Sequence, residues 1–298
     1  MVLESDIIIL GHLAKDIIEV DRISYTSLGG AVYYGGIAGS HMGLKIVVIT
    51  RLKEEDYSLL EVFKKNGITY YVHPSEETSG LRNIYSSQNM EFRDYKPLGF
   101  AGLFKKEEIP ASLKTKIFVI GPIMVGEINL DLLQYLKKEY PKILCLDVQG
   151  FIRCSDTKKV FYSQLSIKEK KEIISDIYVL KLDQKEAEIL TNQENIGKAA
   201  NNLLRFGPKE ILITHEKGIS VFTRNNSFYF PWRNKNTNGR TGRGDTAFIS
   251  YLGSRLTKNP EQSLKFAAAL TSLKLESPGP FNLPLYQVKT LIKREYEI

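Results

Sequence analysis

Short, unbroken apolar runs recur along this chain: Ile7-Ile8-Ile9-Leu10, Ile46-Val47-Val48-Ile49, Ile117-Phe118-Val119-Ile120, Ile143-Leu144-Cys145-Leu146, Ile177-Tyr178-Val179-Leu180 and Ile211-Leu212-Ile213. A run without polar alternation suits a strand buried on both faces of a parallel sheet. Parallel strands need crossover connections, and stretches with helical spacing fall between the runs, at 31–42, 57–65, 129–139 and from Asp183 onward. The pattern predicts an α/β body. Paired strand candidates at 219–223 and 227–231 and helices at 262–275 and 285–294 complete it.

Two segments break this rhythm. Residues 17–26 alternate apolar and polar, as a half-solvated strand does, and the runs Leu81–Tyr85 and Met90–Arg93 flank the turn-like Ser86-Ser87-Gln88-Asn89. Together they predict a small antiparallel sheet inserted in the body, acting as a lid or as a dimer surface. With no internal repeat, low-complexity tract or linker, residues 1–298 read as one α/β domain, with lid segments near 17–28 and 79–104.

A net charge of +7 and a pI near 9.1 suit an anionic ligand. Lys and Arg are spread along the chain rather than clustered, so nucleic acid is not an expected partner. Two cysteines are too few for a disulfide framework or a metal cluster, and the four histidines lack ligand spacing. Free thiols, no basic leader and no apolar run of membrane-spanning length give the expectation of a cytoplasmic protein without membrane contact.

The stretch Asn238-Gly239-Arg240-Thr241-Gly242-Arg243-Gly244-Asp245-Thr246-Ala247-Phe248 places three glycines just before an apolar run at helical spacing. A glycine turn opening a helix aims unpaired N–H groups and the positive end of a helix dipole at one point, where a phosphate can sit. Asp245 then has two readings, a general base facing the bound group or a residue stabilising the helix start. Asp16, Gln149 and Arg153 follow strands at the carboxyl edge, where open α/β sheets bind ligands; Asp16 also reads as a solvated turn residue and Arg153 as a surface residue. Asp183 and Glu186 have the spacing of a capping box, with Mg²⁺ as the functional alternative.

These residues resemble the ribokinase-like (PfkB) carbohydrate kinases over essentially the whole chain. Thr241-Gly242-Arg243-Gly244-Asp245-Thr246 is similar to the family's C-terminal signature, and Leu28-Gly29-Gly30-Ala31-Val32-Tyr33-Tyr34 to its N-terminal one. Within the family, Asp147-Val148-Gln149-Gly150-Phe151-Ile152-Arg153 resembles the myo-inositol kinases of archaea and plants. The resemblance implies a three-layer α/β/α sandwich with a β-sheet lid, and an ATP- and Mg²⁺-dependent kinase for a small sugar or polyol, a myo-inositol-like cyclitol in particular. A nucleoside kinase, or a non-catalytic sugar-binding or regulatory protein of the same fold, are the alternatives.

By the same resemblance, Asp245 is the base, and the N–H groups of Gly242, Arg243 and Gly244 hold the transferring phosphoryl group. Asp16, Gly29, Gly30, Gln149 and Arg153 face the acceptor. Thr214, Gly218 and Thr241, with Gly242 and Gly244, face the nucleotide, and Asp183 and Glu186 the metal. A homodimer through the lid is a further family expectation. Polar lid residues Arg82, Asn83, Gln88 and Asn89 favour a polyol over a nucleoside. The chain departs from the family pattern in three places. Arg243 replaces an alanine, Gly239 stands where an aspartate often helps to bind a monovalent cation, and the turn 214–218 is one residue short.

Overall fold

The computed structural model describes residues 3–111, 113–156 and 158–297. In chain order the strands are β1 Leu3–Leu10, β2 Ala14–Val20, β3 Ile23–Gly29, β4 Ile46–Leu52, β5 Thr69–Pro74, β6 Gly80–Ser86, β7 Asn89–Gly99, β8 Leu113–Ile120, β9 Leu144–Asp147, β10 Arg153–Ser155, β11 Val160–Tyr162, β12 Val179–Asp183, β13 Glu210–His215, β14 Gly218–Thr223 and β15 Ser227–Pro231. The α-helices are α1 Ala31–His41, α2 Glu61–Lys65, α3 Leu130–Glu139, α4 Gln149–Ile152, α5 Ile167–Ile174, α6 Gln184–Thr191, α7 Ile196–Leu204, α8 Arg243–Arg255, α9 Pro260–Leu275 and α10 Leu285–Glu295. The segment predicted as one helix at 57–65 is instead a 3-10 stretch, Glu54–Leu60, running into the short α2.

Nine strands form the main sheet in the order β15-β14-β13-β12-β9-β8-β1-β4-β5. All neighbours from β13 to β5 pair in parallel, and β14 and β15 add antiparallel at one edge. The unbroken apolar runs follow from burial on both faces. Ile8 and Leu10 enter one core with Leu132, Leu133 and Leu203, whereas Ile7 and Ile9 enter the other with Ala31, Phe248 and Ile249. Each such side chain, fully buried, contributes about 1.5–3 kcal/mol. Helices thus cover both faces of the sheet, and the predicted three layers are present.

The chain order reverses between β1 and β8, and at such a switch point the loops beyond the carboxyl ends of the strands part to leave a crevice. α8 reaches this edge because α1 is lined with small residues. A side chain on Gly35 would strike Ile249 of α8 and one on Gly39 would strike Ile46 of β4, so the sequence of α1 sets the close approach.

The lid is a four-stranded sheet, β3-β2-β6-β7. It differs from the prediction in two ways. Residues 17–26 are not one strand: β2 and β3 are joined by Asp21 and Arg22, both with positive φ (47° and 75°). The turn escaped the reading because Arg22 stands where a glycine usually follows aspartate in such a bend. The sheet is also mixed rather than antiparallel, since β2 and β6 run parallel. The two lid turns are tied where the Ser87 amide donates to Asp21 Oδ1 at 3.1 Å.

Candidate active site

The crevice at the switch point is a polar cleft between the lid and the start of α8. At its lid end Asp16 is 6% exposed, and its Oδ1 accepts from the Leu81 amide at 2.8 Å. Gly29 has to lack a side chain because its Cβ would overlap the Asp16 carboxylate. Gly30, which opens α1 at φ +88°, would meet the His12 carbonyl if it carried one. Gly29 therefore makes room for Asp16, and Gly30 brings backbone to the cleft wall.

Arg153 is 3% exposed, with its guanidinium 5.0 Å from the Tyr95 ring centroid and 3.8 Å from Glu186 Oε1. Gln149 donates from Nε2 to the Ile123 carbonyl at 3.1 Å. Both line the cleft, as does the buried Asn83. The other polar lid residues do not reach it in the same way. Arg82 pairs with Glu19 at 2.9 Å, Gln88 is exposed at the hairpin turn, and the Asn89 side chain lies outside the described residues.

Gly242 caps α8 in the left-handed region, φ 80° and ψ 11°. The first N–H groups of a helix have no acceptor within it; the Arg243 amide turns back to the Arg240 carbonyl at 3.4 Å, and Gly242, Arg243, Gly244 and Asp245 all line the cleft. Arg243 is 4% exposed and lines the cleft rather than pointing to solvent, with its guanidinium 5.9 Å from the Trp232 ring. Thr241 Oγ1 lies 2.9 Å from the Tyr85 hydroxyl, which joins the lid to the glycine turn.

Gly242→Ala is expected to be severe. The added Cβ would overlap the Tyr34 ring and force a non-glycine residue into positive φ, each costing roughly 1–3 kcal/mol. A lowered Tm together with lost turnover is the expected result; a variant with wild-type Tm and rate would remove the turn from this account.

Asp183 and Glu186 form the predicted capping box: Glu186 N donates to Asp183 Oδ1 at 2.8 Å and Asp183 N to Glu186 Oε2 at 2.7 Å. They part in their exposure. Asp183 lines the cleft, whereas Glu186 lies fully buried behind it, its Oε1 without a hydrogen-bond partner. Burial, then the neighbouring Asp183, pushes the Glu186 pKa up to about 8. Among the described residues no group of three or more His, Cys, Asp or Glu stands together as a ready metal cage.

Thr214 is 2% exposed and lines the cleft. Gly218 does not: it is buried in β14, where Phe230 and Tyr229 cover the place a side chain would take. The hairpin around it is closed, with Trp232 Nε1 donating to the His215 carbonyl at 2.9 Å and Tyr229 stacked on His215.

Several site residues went unread in the sequence. Lys181 is 4% exposed, lines the cleft and donates from Nζ to Asp147 Oδ2 at 2.8 Å. Burial works against its charge, but Asp147, Glu186, Asp245 and Asp183 outweigh it and hold the pKa above the usual lysine value. Gly244 leaves space for it, since a Cβ there would lie 3.1 Å from Lys181 Nζ. The available signal was a charged residue inside the apolar strand β12. Glu127 is a hidden support: fully buried, it accepts from the amides of Ile123 (2.6 Å), Met124 (2.9 Å) and His12 (3.3 Å). It thereby ties the loop after β1 to the loop after β8, and burial raises its pKa to about 8.

With lid, glycine turn and carboxyl-edge cleft assembled in one chain, the class is defined. The chain belongs to the pfkB family of carbohydrate kinases, whose pattern matches residues 14–285. It is a carbohydrate kinase with a ribokinase-like α/β fold and a separate lid sheet. A pyrophosphate-dependent kinase in the ribokinase family, solved as a sulfate complex, is 32% identical, with a TM-score of 0.86 covering 93% of this chain and 97% of that one. A structure of a pyrophosphate-dependent kinase in the ribokinase family complexed with a pyrophosphate analog and myo-inositol is 30% identical, TM-score 0.86, covering 95% and 99%. Cytidine kinase of Thermococcus kodakarensis is 26% identical over 230 residues, 73% of this chain and 76% of that protein. Among the described residues no helix is long and apolar enough to cross a membrane.

Proposed function

We propose that this kinase phosphorylates a hydroxyl of a myo-inositol-like cyclitol, with inorganic pyrophosphate as the donor. The observation that carries the reading is the make-up of the cleft. Its donor end is lined by Lys181, Arg240 and Arg243 around the glycine turn, and its acceptor end by Asp16, Asn83, Gln149 and Arg153. Three cations at a helix start suit a compact, multiply charged anion, and bidentate arginines recognise phosphate oxygens well. A nucleoside triphosphate needs in addition an apolar slot for its base. The cleft reaches Thr214 but not Gly218, which Tyr229 and the Phe230 carbonyl cover. The similarity to pyrophosphate-dependent kinases, one of them bound to myo-inositol, agrees with this reading.

In the reaction Asp245 takes the proton of the acceptor hydroxyl, whose oxygen bonds to phosphorus as the bridging P–O bond of the donor breaks. The N–H groups at the start of α8 with Arg243 and Lys181 hold the charge on the transferring group, where electrostatic preorganisation counts most. Asp16, Asn83, Gln149 and Arg153 orient the hydroxyls, and the lid over them keeps water out. The donor set fits Mg²⁺, because the buried Glu186 Oε1 accepts no hydrogen bond, with the Arg153 guanidinium 3.8 Å away, and Asp183 borders the cleft. Those two carboxylates would hold the ion or its water shell, and bound Mg²⁺ would neutralise charge on the donor oxygens.

The test is product formation from myo-inositol, ribose, fructose and cytidine, each with pyrophosphate or ATP in the presence of Mg²⁺. Phosphorylated cyclitol with pyrophosphate is expected; product with ATP alone would overturn the donor, and product from cytidine alone the acceptor. Arg243→Ala is expected to raise the KM for the donor by about 10–100-fold, the worth of hydrogen bonds to a charged group, and to leave the KM for the acceptor in place. An unchanged donor KM would remove Arg243 from the donor site.

A further inference from the structure

Lys274 lies in the last turn of α9 and is only 2% exposed. Its ammonium donates to the carbonyls of Gly239 and Thr241, either side of Arg240 in the loop that enters α8. It also sits 4.9 Å from the centroid of the Tyr34 ring, the ring that a Cβ on Gly242 would strike. The loop is fastened to the same helix end a second time, by the Gly239 amide donating to the Leu275 carbonyl at 2.8 Å. Two carbonyl dipoles and the face of an aromatic ring turned toward one buried positive charge form an environment suited to a small monovalent cation. Gly239 itself has no carboxylate with which to bind one, and a lysine supplies the charge instead.

The consequence for the glycine turn follows from peptide geometry. In a trans peptide the C=O and the N–H point in opposite directions, so turning the Thr241 carbonyl toward Lys274 turns the Gly242 N–H away from it. We propose that the Lys274 ammonium acts as a built-in monovalent cation that orients the 239–241 carbonyls and so sets the Gly242 turn for the phosphoryl group, making added potassium or ammonium unnecessary. This rests on the kinase reading above, with Lys274 as a positioning residue. Burial, then the repulsion of Arg240, with Arg243 adding and Asp245 opposing, draws the lysine pKa down to about 7. An anionic donor beside the two arginines offsets that repulsion, so donor binding and the charged lysine favour each other.

Turnover of pyrophosphate and myo-inositol is measured for wild type, Lys274→Ala and Lys274→Met in tetramethylammonium, sodium, potassium and ammonium salts at equal ionic strength. The affinity for methylene bisphosphonate is measured by calorimetry alongside. Wild type is expected to run at one rate in every salt. Lys274→Ala is expected to be about ten-fold or more slower in tetramethylammonium and to recover in ammonium or potassium, which fill the vacated space. Lys274→Met, which fills the space without charge, should be slow in every salt and bind the bisphosphonate more weakly. A wild-type rate that rises about ten-fold with potassium, or a Lys274→Met variant at the wild-type rate, would overturn the proposal. So would a slow Lys274→Ala that no cation rescues and that binds the bisphosphonate as wild type does. If the alanine variant does not fold, the methionine variant and the wild-type salt series decide. Absence of wild-type turnover with every donor would defeat the kinase reading instead, and unchanged bisphosphonate affinity in Lys274→Met would then still overturn this one.

Discussion

Asp245→Asn is expected to slow turnover by about 10²–10⁴-fold with the KM for the acceptor nearly unchanged. Asp245 stands in the first turn of α8 and lines the cleft that also holds the glycine turn and the polar residues Asp16, Asn83, Gln149 and Arg153. Asparagine keeps the size and much of the hydrogen bonding of aspartate but cannot take a proton, so the loss should fall on the chemical step. Steady-state kinetics on the preferred polyol, with calorimetric acceptor binding alongside, separates this from a binding defect. Near-wild-type turnover in Asp245→Asn would return Asp245 to the other role its sequence position allowed, stabilising the helix start.

Lys181→Met is expected to cost about 3–5 kcal/mol of stability and most of the activity. The Lys181–Asp147 pair is buried on both sides, 5% and 2% exposed, at 2.8 Å. Removing the cation leaves a carboxylate out of water, with the Gln149 amide, 3.1 Å from Asp147 Oδ1, as its hydrogen-bond donor among the described residues. The double variant Lys181→Met/Asp147→Leu separates the two roles: it should regain much of the stability, because the orphaned charge is gone, but not the turnover, because the cation beside Gly244 is still missing. Urea denaturation and kinetics on the same preparations give both readings. Activity returning together with stability would make Lys181 a structural residue only.

Much of this molecule was legible in the sequence because its signals are local. The buried runs declared their strands through unbroken hydrophobicity, and Asp183 with Glu186 declared a helix start through capping-box spacing, which the two hydrogen bonds bear out. Where the local signal was weak the reading failed. The β2–β3 turn bends at Asp21 and Arg22 without a glycine, and residues 54–60 wind more tightly than an α-helix. The polar lid residues could not be sorted, since side-chain direction in a strand depends on register. Pairing with β7 and β2 sends Asn83 to the cleft and Arg82 to Glu19.

The sequence by itself determined the α/β order, the position of the lid, the glycine turn and the aspartate that follows it, because hydrophobic period and backbone demand are written in neighbouring residues. Only the tertiary structure decided which charges meet. Lys181 from β12, Lys274 from α9, Tyr34 from α1 and Tyr85 from the lid converge on residues 239–244 across gaps of tens to hundreds of positions. A lysine in an apolar segment announces only that a buried charge needs a partner. Which carboxylate, carbonyl or ring supplies it is fixed by the packing of layers far apart in the chain.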